Sequence, residues 1–371
     1  MKANTLGLYL HVPFCVRKCS YCDFCSFPAL SESEKDEYVD AEIREILSYK
    51  RADKIPVETV FFGGGTPSLL TPNQLSKIFR AIEKVFLILP NSEITLEANP
   101  KTFDCEKMRE YAALGVNRVS MGLQSIHENE LKILGRIHNF DDFKRAYEIV
   151  DSVGISNVNV DLMYAIPEQT PESLLKTLRS VIELSPSHVS AYSLILEEGT
   201  PLYNAQKRLS LPSDEQEYEM YLSICNTLGE AGYSHYEISN YARAGCESRH
   251  NLKYWQNREY IGVGISAYSY LGDRRYGNTR LLSEYLSPRY ESYREVEYVD
   301  SATRAFEYAM LGLRLKEGIS LSKYRNISGR ELSIDKIQAY VDAGYMNLSA
   351  DRISLTEKGF YVSNSILAEL L

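Results

Sequence analysis

Between Leu6 and Ile195 short apolar runs alternate with amphipathic stretches, and this alternation restricts the fold more than any other feature of the chain. Leu6 to Pro13, Val57 to Phe62, Glu93 to Ala98, Arg118 to Gly122, Asn157 to Met163 and His188 to Ile195 have the length and residue content of strands. Helical patterns separate them: Ser31 to Lys50 with Ser33 as its cap, Thr71 to Val85, Cys105 to Leu114, Phe140 to Val153 and Glu172 to Leu184. Strands separated by helices cannot pair as tight hairpins. The sequence therefore predicts an α/β fold in which six parallel strands are joined by right-handed crossovers.

The alternation stops after Thr200. Glu215 to Ala231 reads as a long amphipathic helix, and Tyr233 to Tyr270 is rich in Tyr, Gly and polar residues that add nothing evident to the strand and helix pattern. From Ala302 the character changes again, with helices at Phe306 to Leu315 and Ile334 to Ala343 and a hairpin-like Tyr345 to Thr356, a winged-helix-like appendage. The expected division is 1–200, 201–295 and 296–371. Of the 371 residues 44% are hydrophobic and 25% charged, ordinary proportions for a globular protein. Forty-one basic residues against 50 acidic leave a net charge of -9, which argues against a nucleic-acid face but not against an anion in a local pocket. No charged-then-apolar leader precedes Leu6, and no apolar run approaches the roughly eighteen residues that span a bilayer, so a cytoplasmic location is expected.

The chemistry starts at Cys15-Val-Arg-Lys-Cys19-Ser-Tyr-Cys22, where three thiols lie close together on a loop that leaves the first strand. A structural zinc site wants four protein ligands, whereas a [4Fe-4S] cluster held by three cysteines keeps one iron open. A zinc knuckle or incidental buried cysteines are the competing readings of the triplet. Cys105, Cys225 and Cys246 are scattered and read as small buried or half-buried hydrophobes. Gly63-Gly-Gly-Thr-Pro lies between a strand and a helix, so its unhindered backbone can approach a ligand closely. Glu97, at the end of the third strand, is suited to accept hydrogen bonds from a ribose diol.

The cysteine spacing, in this position, resembles the radical S-adenosylmethionine (SAM) superfamily. That resemblance implies a partial (β/α)6 TIM-like barrel, a [4Fe-4S] cluster on Cys15, Cys19 and Cys22, and SAM on the open iron. Six runs extend the likeness: Tyr9-Leu-His-Val-Pro-Phe-Cys15, Phe62-Gly-Gly-Gly-Thr-Pro-Ser68, Glu97-Ala-Asn-Pro, Gly122-Leu-Gln-Ser125, Gly135-Arg-Ile-His138 and Asp161-Leu-Met-Tyr-Ala-Ile-Pro167. Together they resemble the oxygen-independent coproporphyrinogen III oxidase group. The resemblance implies SAM contacts at Tyr9, Gly64 and Glu97, and at Tyr21, Gly65, Thr66, Gln124, Arg136 and Asp161 for a second SAM.

Two departures bear on function. The oxidases carry a fourth cysteine two residues after the third; here that position is Phe24, and Cys25 lies one place too far along. They also carry a substantial extension before the cysteine loop, where this chain has fourteen residues. Both departures are found in the related heme chaperones. His250-Asn-Leu-Lys-Tyr-Trp255 points the same way, because heme wants an imidazole for iron and flat aromatic faces for its ring, and the segment supplies His250, Tyr254 and Trp255. Its side chains are expected to form a pocket at the barrel's edge, with His11 and His138 as weaker alternatives. The resemblance thus implies a carrier of heme toward heme-accepting respiratory proteins, with peripheral membrane contact where the acceptor is membrane-bound. Oxidative decarboxylation of coproporphyrinogen III is the alternative, followed by radical methyl transfer or heme breakdown.

Overall fold

The computed structural model describes residues 5–371. Its centre is a sheet in which strands Leu6–Val12, Ile55–Gly64, Phe86–Ala98, Arg118–Gln124, Asn157–Tyr164 and His188–Ser193 lie side by side and parallel in chain order. Each is connected to the next through at least one helix. Along the helix Pro72–Val85, Leu75, Ile78, Phe79, Ile82 and Val85 recur at helical spacing, and all are buried. Each such side chain contributes about 1.5–3 kcal/mol by leaving water. Side chains of alternate strand residues enter the barrel interior, including Phe61, Ser120, Asp161 and Ser190.

The first helix, Glu32–Ser48, begins two residues before the start that a Ser33 cap would set. Its cap is Ser31, not Ser33: the Ser31 hydroxyl accepts from the Glu34 N–H, and the Glu34 carboxylate receives the Ser31 N–H. Two cap-competent serines two residues apart are equivalent in composition; reciprocity with Glu34 selects between them.

The tyrosine-rich stretch also differs from expectation. Tyr260–Val263 is a seventh parallel strand, paired with Leu6–Val12 on the edge opposite the helix-linked series. Tyr268–Leu271, Arg274–Gly277 and Glu295–Tyr298 extend that edge antiparallel, while Asn240–Ala242 and Ser234–Glu237 extend the other edge. Buried Glu45 holds the first helix to this extension, accepting from Asn278 at 2.8 Å, Arg294 at 2.7 Å and Tyr285 at 2.7 Å. Between the two extensions, the helix Arg249–Trp255 closes the barrel floor. Its first N–H groups, from Arg249 and His250, donate to the Glu93 carboxylate at 2.9 and 3.0 Å.

The C-terminal region has helices Ser301–Gly312, Leu321–Ser328 and Ile334–Asp342 around a three-stranded sheet in the order Ile319–Ser320, Arg352–Leu355, Met346–Leu348. The hairpin expected from the sequence gains its third strand from residues adjoining Gly318. Main-chain bonds from Ile238 to Arg314 and from Lys316 to Tyr236, both 3.0 Å, join this region to the barrel. Among the described residues, no helix is long and apolar enough to cross a membrane.

Candidate functional site

At the C-terminal ends of the strands lies a cavity of 370 Å³ with Cys15, Cys19 and Cys22 on its wall. The cysteine loop is held by neighbours far away in sequence. Ser20 donates through its N–H to Leu134 O and through its hydroxyl to Ile133 O, while the Gly65 N–H donates to Val12 O at 2.9 Å. A Cβ at Gly65 would lie 2.7 Å from Phe14 O, so only glycine lets the two loops touch. Gly64 has φ +110°, and a Cβ there would lie 2.6 Å from the His11 ring.

Among the described residues, no three His, Cys, Asp or Glu side chains converge as ligands of a single ion. The donor set on this wall, three thiols with Phe24 where a fourth cysteine would stand, suits a cubane with one open iron, whereas a structural zinc takes four protein ligands. Burial pushes the Cys15 and Cys22 thiols up, and the neighbouring Cys19 adds to the effect in both. Binding a cationic cluster reverses that preference by taking the thiolates as ligands. Cys25 stays apart from this wall, with its thiol 3.8 Å from Arg280 O. Phe24, in the place of the oxidases' fourth cysteine, is 66% exposed at the cavity's edge.

Around the thiols the cavity gathers Tyr21, Gly64, Gly65, Thr66, Glu97, Gln124, Arg136 and Asp161. The Gly64 N–H donates to Glu97 at 3.0 Å, and burial, with the Asp161 carboxylate nearby, pushes the Glu97 carboxyl up to about 8. Arg136 donates to Gly122 O at 2.8 Å, to Asn99 Oδ1, and to the Cys19 sulfur at 3.5 Å. Its buried Nε has no partner, a donor left for a ligand. Gln124 has φ +71°, a conformation costly for a residue with a Cβ, at the point where the fourth strand meets the cavity. Glycine backbone, carboxyl, amide and guanidinium groups around three thiols fit a cluster-bound amino acid carrying a ribose.

Tyr9 does not line this cavity. It lies beneath the glycine loop, its hydroxyl 3.0 Å from His11 Nδ1, and faces two other spaces. One is a groove of 410 Å³ beside the cluster cavity, walled by Phe24, Tyr254, Tyr260 and Tyr268 with Cys25 and Arg280 at its margin. The other is a smaller cavity inside the barrel. The His250 segment is divided between them and the C-terminal region. His250 is 1% exposed, with Nδ1 bonded to Thr59 and Nε2 to Tyr254, both at 2.8 Å. Burial, with Lys253 and Arg118 nearby, pushes its imidazole down to about 3. Trp255 is elsewhere, under the Arg314 guanidinium at 5.6 Å. The expected edge pocket holding all three side chains is therefore not formed: a seven-residue helix turns His250 and Tyr254 to one side and Trp255 to another.

His11 and His138 are likewise engaged. His11 is bonded to Tyr9 and to Cys25 O; His138 lines the cluster cavity, with Nε2 3.3 Å from Leu123 O and its imidazole pushed down to about 4 by burial. Sequence reasoning overlooked Asn99, Ser120 and Tyr192 as cavity residues. Asn99 was within reach, two residues beyond Glu97 in the same run; Ser120 and Tyr192 show themselves only once the strands are in register.

Comparison with known proteins gives a consistent result. Residues 9–181 match the radical SAM superfamily and residues 299–362 the HemN C-terminal domain. The heme chaperone HemW of Lactococcus lactis is 36% identical, covering 98% of this chain and 96% of that protein. HemW of Escherichia coli is 36% identical, with coverage of 99% and 98%, and HemW of Bacillus subtilis 34%, with 98% of both. The solved structure of Escherichia coli coproporphyrinogen III oxidase (HemN), a radical SAM enzyme, superposes with a TM-score of 0.85 over 98% of this chain and 89% of its own, at 23% identity, so the two share a fold.

Proposed function

The chain belongs to the HemW family of the radical SAM superfamily, and from that premise we propose that it is a heme chaperone, one that binds heme and passes it to an acceptor protein while carrying a [4Fe-4S] cluster and SAM. The observation that carries the reading is likeness to HemW proteins over nearly the whole chain.

In this reading Cys15, Cys19 and Cys22 hold the cluster. Gly64, Gly65, Thr66, Glu97, Gln124, Arg136 and Asp161 surround SAM, with Tyr21 on the same wall. When bound, the cluster supplies an open iron and an electron. The residues' own part is to hold the ligand and exclude water. Tyr9 supports the glycine loop from below: a Cβ at Gly63 would lie 3.0 Å from its ring.

Heme is assigned to the groove beside this cavity, where Phe24, Tyr254, Tyr260 and Tyr268 offer aromatic faces and Arg280 a cation for propionate. His250 lines the inner cavity rather than this groove; its Nε2 is bonded to the Tyr254 hydroxyl and would hold heme iron in place of that bond. Trp255 takes part only by anchoring the helix. The division at residues 200 and 295 then separates the SAM-binding barrel, the heme segment and the C-terminal appendage. The acceptors are respiratory heme proteins, met in the cytoplasm or at the membrane surface.

Titration with hemin, with and without reconstituted cluster, followed by transfer to an apo-heme protein, tests the proposal. Retention of hemin with no transfer would refute the chaperone reading. Turnover of coproporphyrinogen III under anaerobic reducing conditions, above a cluster-free control, would favour the oxidase instead.

A further inference from the structure

Arg118 opens the fourth strand and is 1% exposed, among the largest side chains fully enclosed in the molecule. Its Nε and Nη2 are buried and have no hydrogen-bond partner among the described residues. These two nitrogens form one edge of the planar guanidinium, the edge that grips a carboxylate with two parallel N–H bonds. An arginine enclosed with that edge empty costs free energy unless something fills it.

The nearby carboxylates do not. Asp161 is engaged by Asn159 Nδ2 at 2.7 Å and the Ser120 hydroxyl at 3.2 Å, and Glu97 by the Gly64 N–H at 3.0 Å. Arg118 instead borders the inner cavity of 200 Å³, whose walls include Phe61 and the hydroxyls of Ser190 and Tyr192. This space adjoins the cluster cavity, because Glu97, Ser120, Asp161 and Tyr192 line both. It is too small for a macrocycle but admits a short arm. Burial, with the Asp161 carboxylate nearby, holds the Glu97 carboxyl up to about 8, so this acid is largely protonated near neutral pH.

We propose that the free edge of Arg118 is a docking point for a carboxylate that enters the barrel interior past Glu97, which borders the cluster cavity, the groove and the inner cavity alike. Two molecules carry one on a flexible arm: heme on its propionates, and a second SAM, apart from the one on the open iron, on its methionine part. The inference rests on the proposed function for its ligands, but Arg118 itself is not among the contacts assigned above.

The test uses the cluster-loaded protein and two matched pairs of probes: hemin against its dimethyl ester, and SAM against decarboxylated SAM. Each affinity is measured in the unaltered protein, in Arg118→Lys, which keeps the charge but loses the fork, and in Arg118→Gln as a second variant should the first not fold. The expected result is that the unaltered protein prefers the acid form in one pair by about tenfold or more, and that the variants lose most of this ratio while iron content stays constant. A change confined to the hemin pair identifies the propionate; one confined to the SAM pair identifies the methionine carboxylate. Ratios unchanged in a folded variant overturn the proposal, as does an unaltered protein that binds acid and blocked forms equally in both pairs. Failure to bind hemin at all would count against the chaperone reading, with the SAM pair still able to decide the role of Arg118.

Discussion

The cluster cavity takes most of its key groups from short runs at the ends of strands, Cys15 to Cys22, Gly64 to Thr66, Glu97 to Asn99 and Gln124, with Asp161 from within the strand Asn157–Tyr164. The tyrosine groove on the other side of Gly64 and Glu97 is assembled differently, with Tyr9 and Phe24 from the beginning of the chain meeting Tyr254, Tyr260, Tyr268 and Arg280 from much later. The first region presents backbone, thiol and charge; the second presents ring faces beside His11, which is already bonded to Tyr9 and Cys25 O. A site built from strand ends is specified locally. A site built between the first strand and its late-arriving parallel neighbour exists only after the sheet has formed.

The largest expected effect should separate the two regions outright. Replacing Cys15, Cys19 or Cys22 with Ala should abolish the visible absorption of the reconstituted cluster, while Cys25→Ala, whose thiol faces the groove, should retain about four irons per chain. Iron analysis decides it, and loss of iron in the Cys25 variant would merge the regions. Next in size is Gly65→Ala. The added Cβ would meet Phe14 O and the Pro13 carbonyl carbon, both backbone, so the cysteine loop must shift, at about 1–3 kcal/mol. Chemical denaturation should show that loss together with weaker iron retention.

On the groove side, His250→Ala removes the partner of both the Thr59 and the Tyr254 hydroxyl. Each hydroxyl left unpaired in the interior costs about 1–3 kcal/mol, so destabilisation should accompany an altered heme spectrum while cluster content stays intact. An unaltered spectrum would return His250 to a packing role. Glu97→Ala should weaken SAM about tenfold without loss of iron, because the ribose hydroxyls lose their acceptor. Unchanged affinity by calorimetry would remove Glu97 from the SAM contacts.

The smallest effect is in pH dependence, where the two regions should have opposite signs. Glu97 is pushed up from 4.5 to about 8, so the folded chain without ligands holds a proton that the unfolded chain has released, and stability should fall as pH rises through that window. His250 is pushed down from 6.5 to about 3; the unfolded chain takes the proton first, and stability should fall as pH drops through that lower window. Denaturation midpoints across pH should show Glu97→Gln flattening the alkaline limb and His250→Gln the acid limb. The same limb flattened by both substitutions would contradict the assignment.

Much of the barrel was legible because strand length, helix spacing and caps are properties of adjacent residues. Six strands stand where the apolar runs placed them, and the runs at Cys15, Gly63 and Glu97 meet at one end because parallel strands all deliver their C-terminal ends to the same rim. Less could be read where two local options were equal, as with Ser31 and Ser33, or where pairing is distant. Tyr260–Val263 is four residues long and the helix directly before it, Arg249–Trp255, only seven; its parallel place beside Leu6–Val12 is decided by the sheet edge that it covers.

What the sequence determined by itself is the order of elements, the three-thiol loop with no fourth cysteine in position, and the glycines that permit close approach. The tertiary structure alone decided that Tyr9 lies below the cavity, that His250 is enclosed with both ring nitrogens engaged, that Trp255 is turned toward Arg314, and that Arg118 keeps a free edge in the barrel interior. The physical reason is one of range. Backbone conformation and chemical type are set by neighbours along the chain, whereas burial, hydrogen-bond satisfaction and the surroundings of a charge depend on which distant strands and helices close around the side chain.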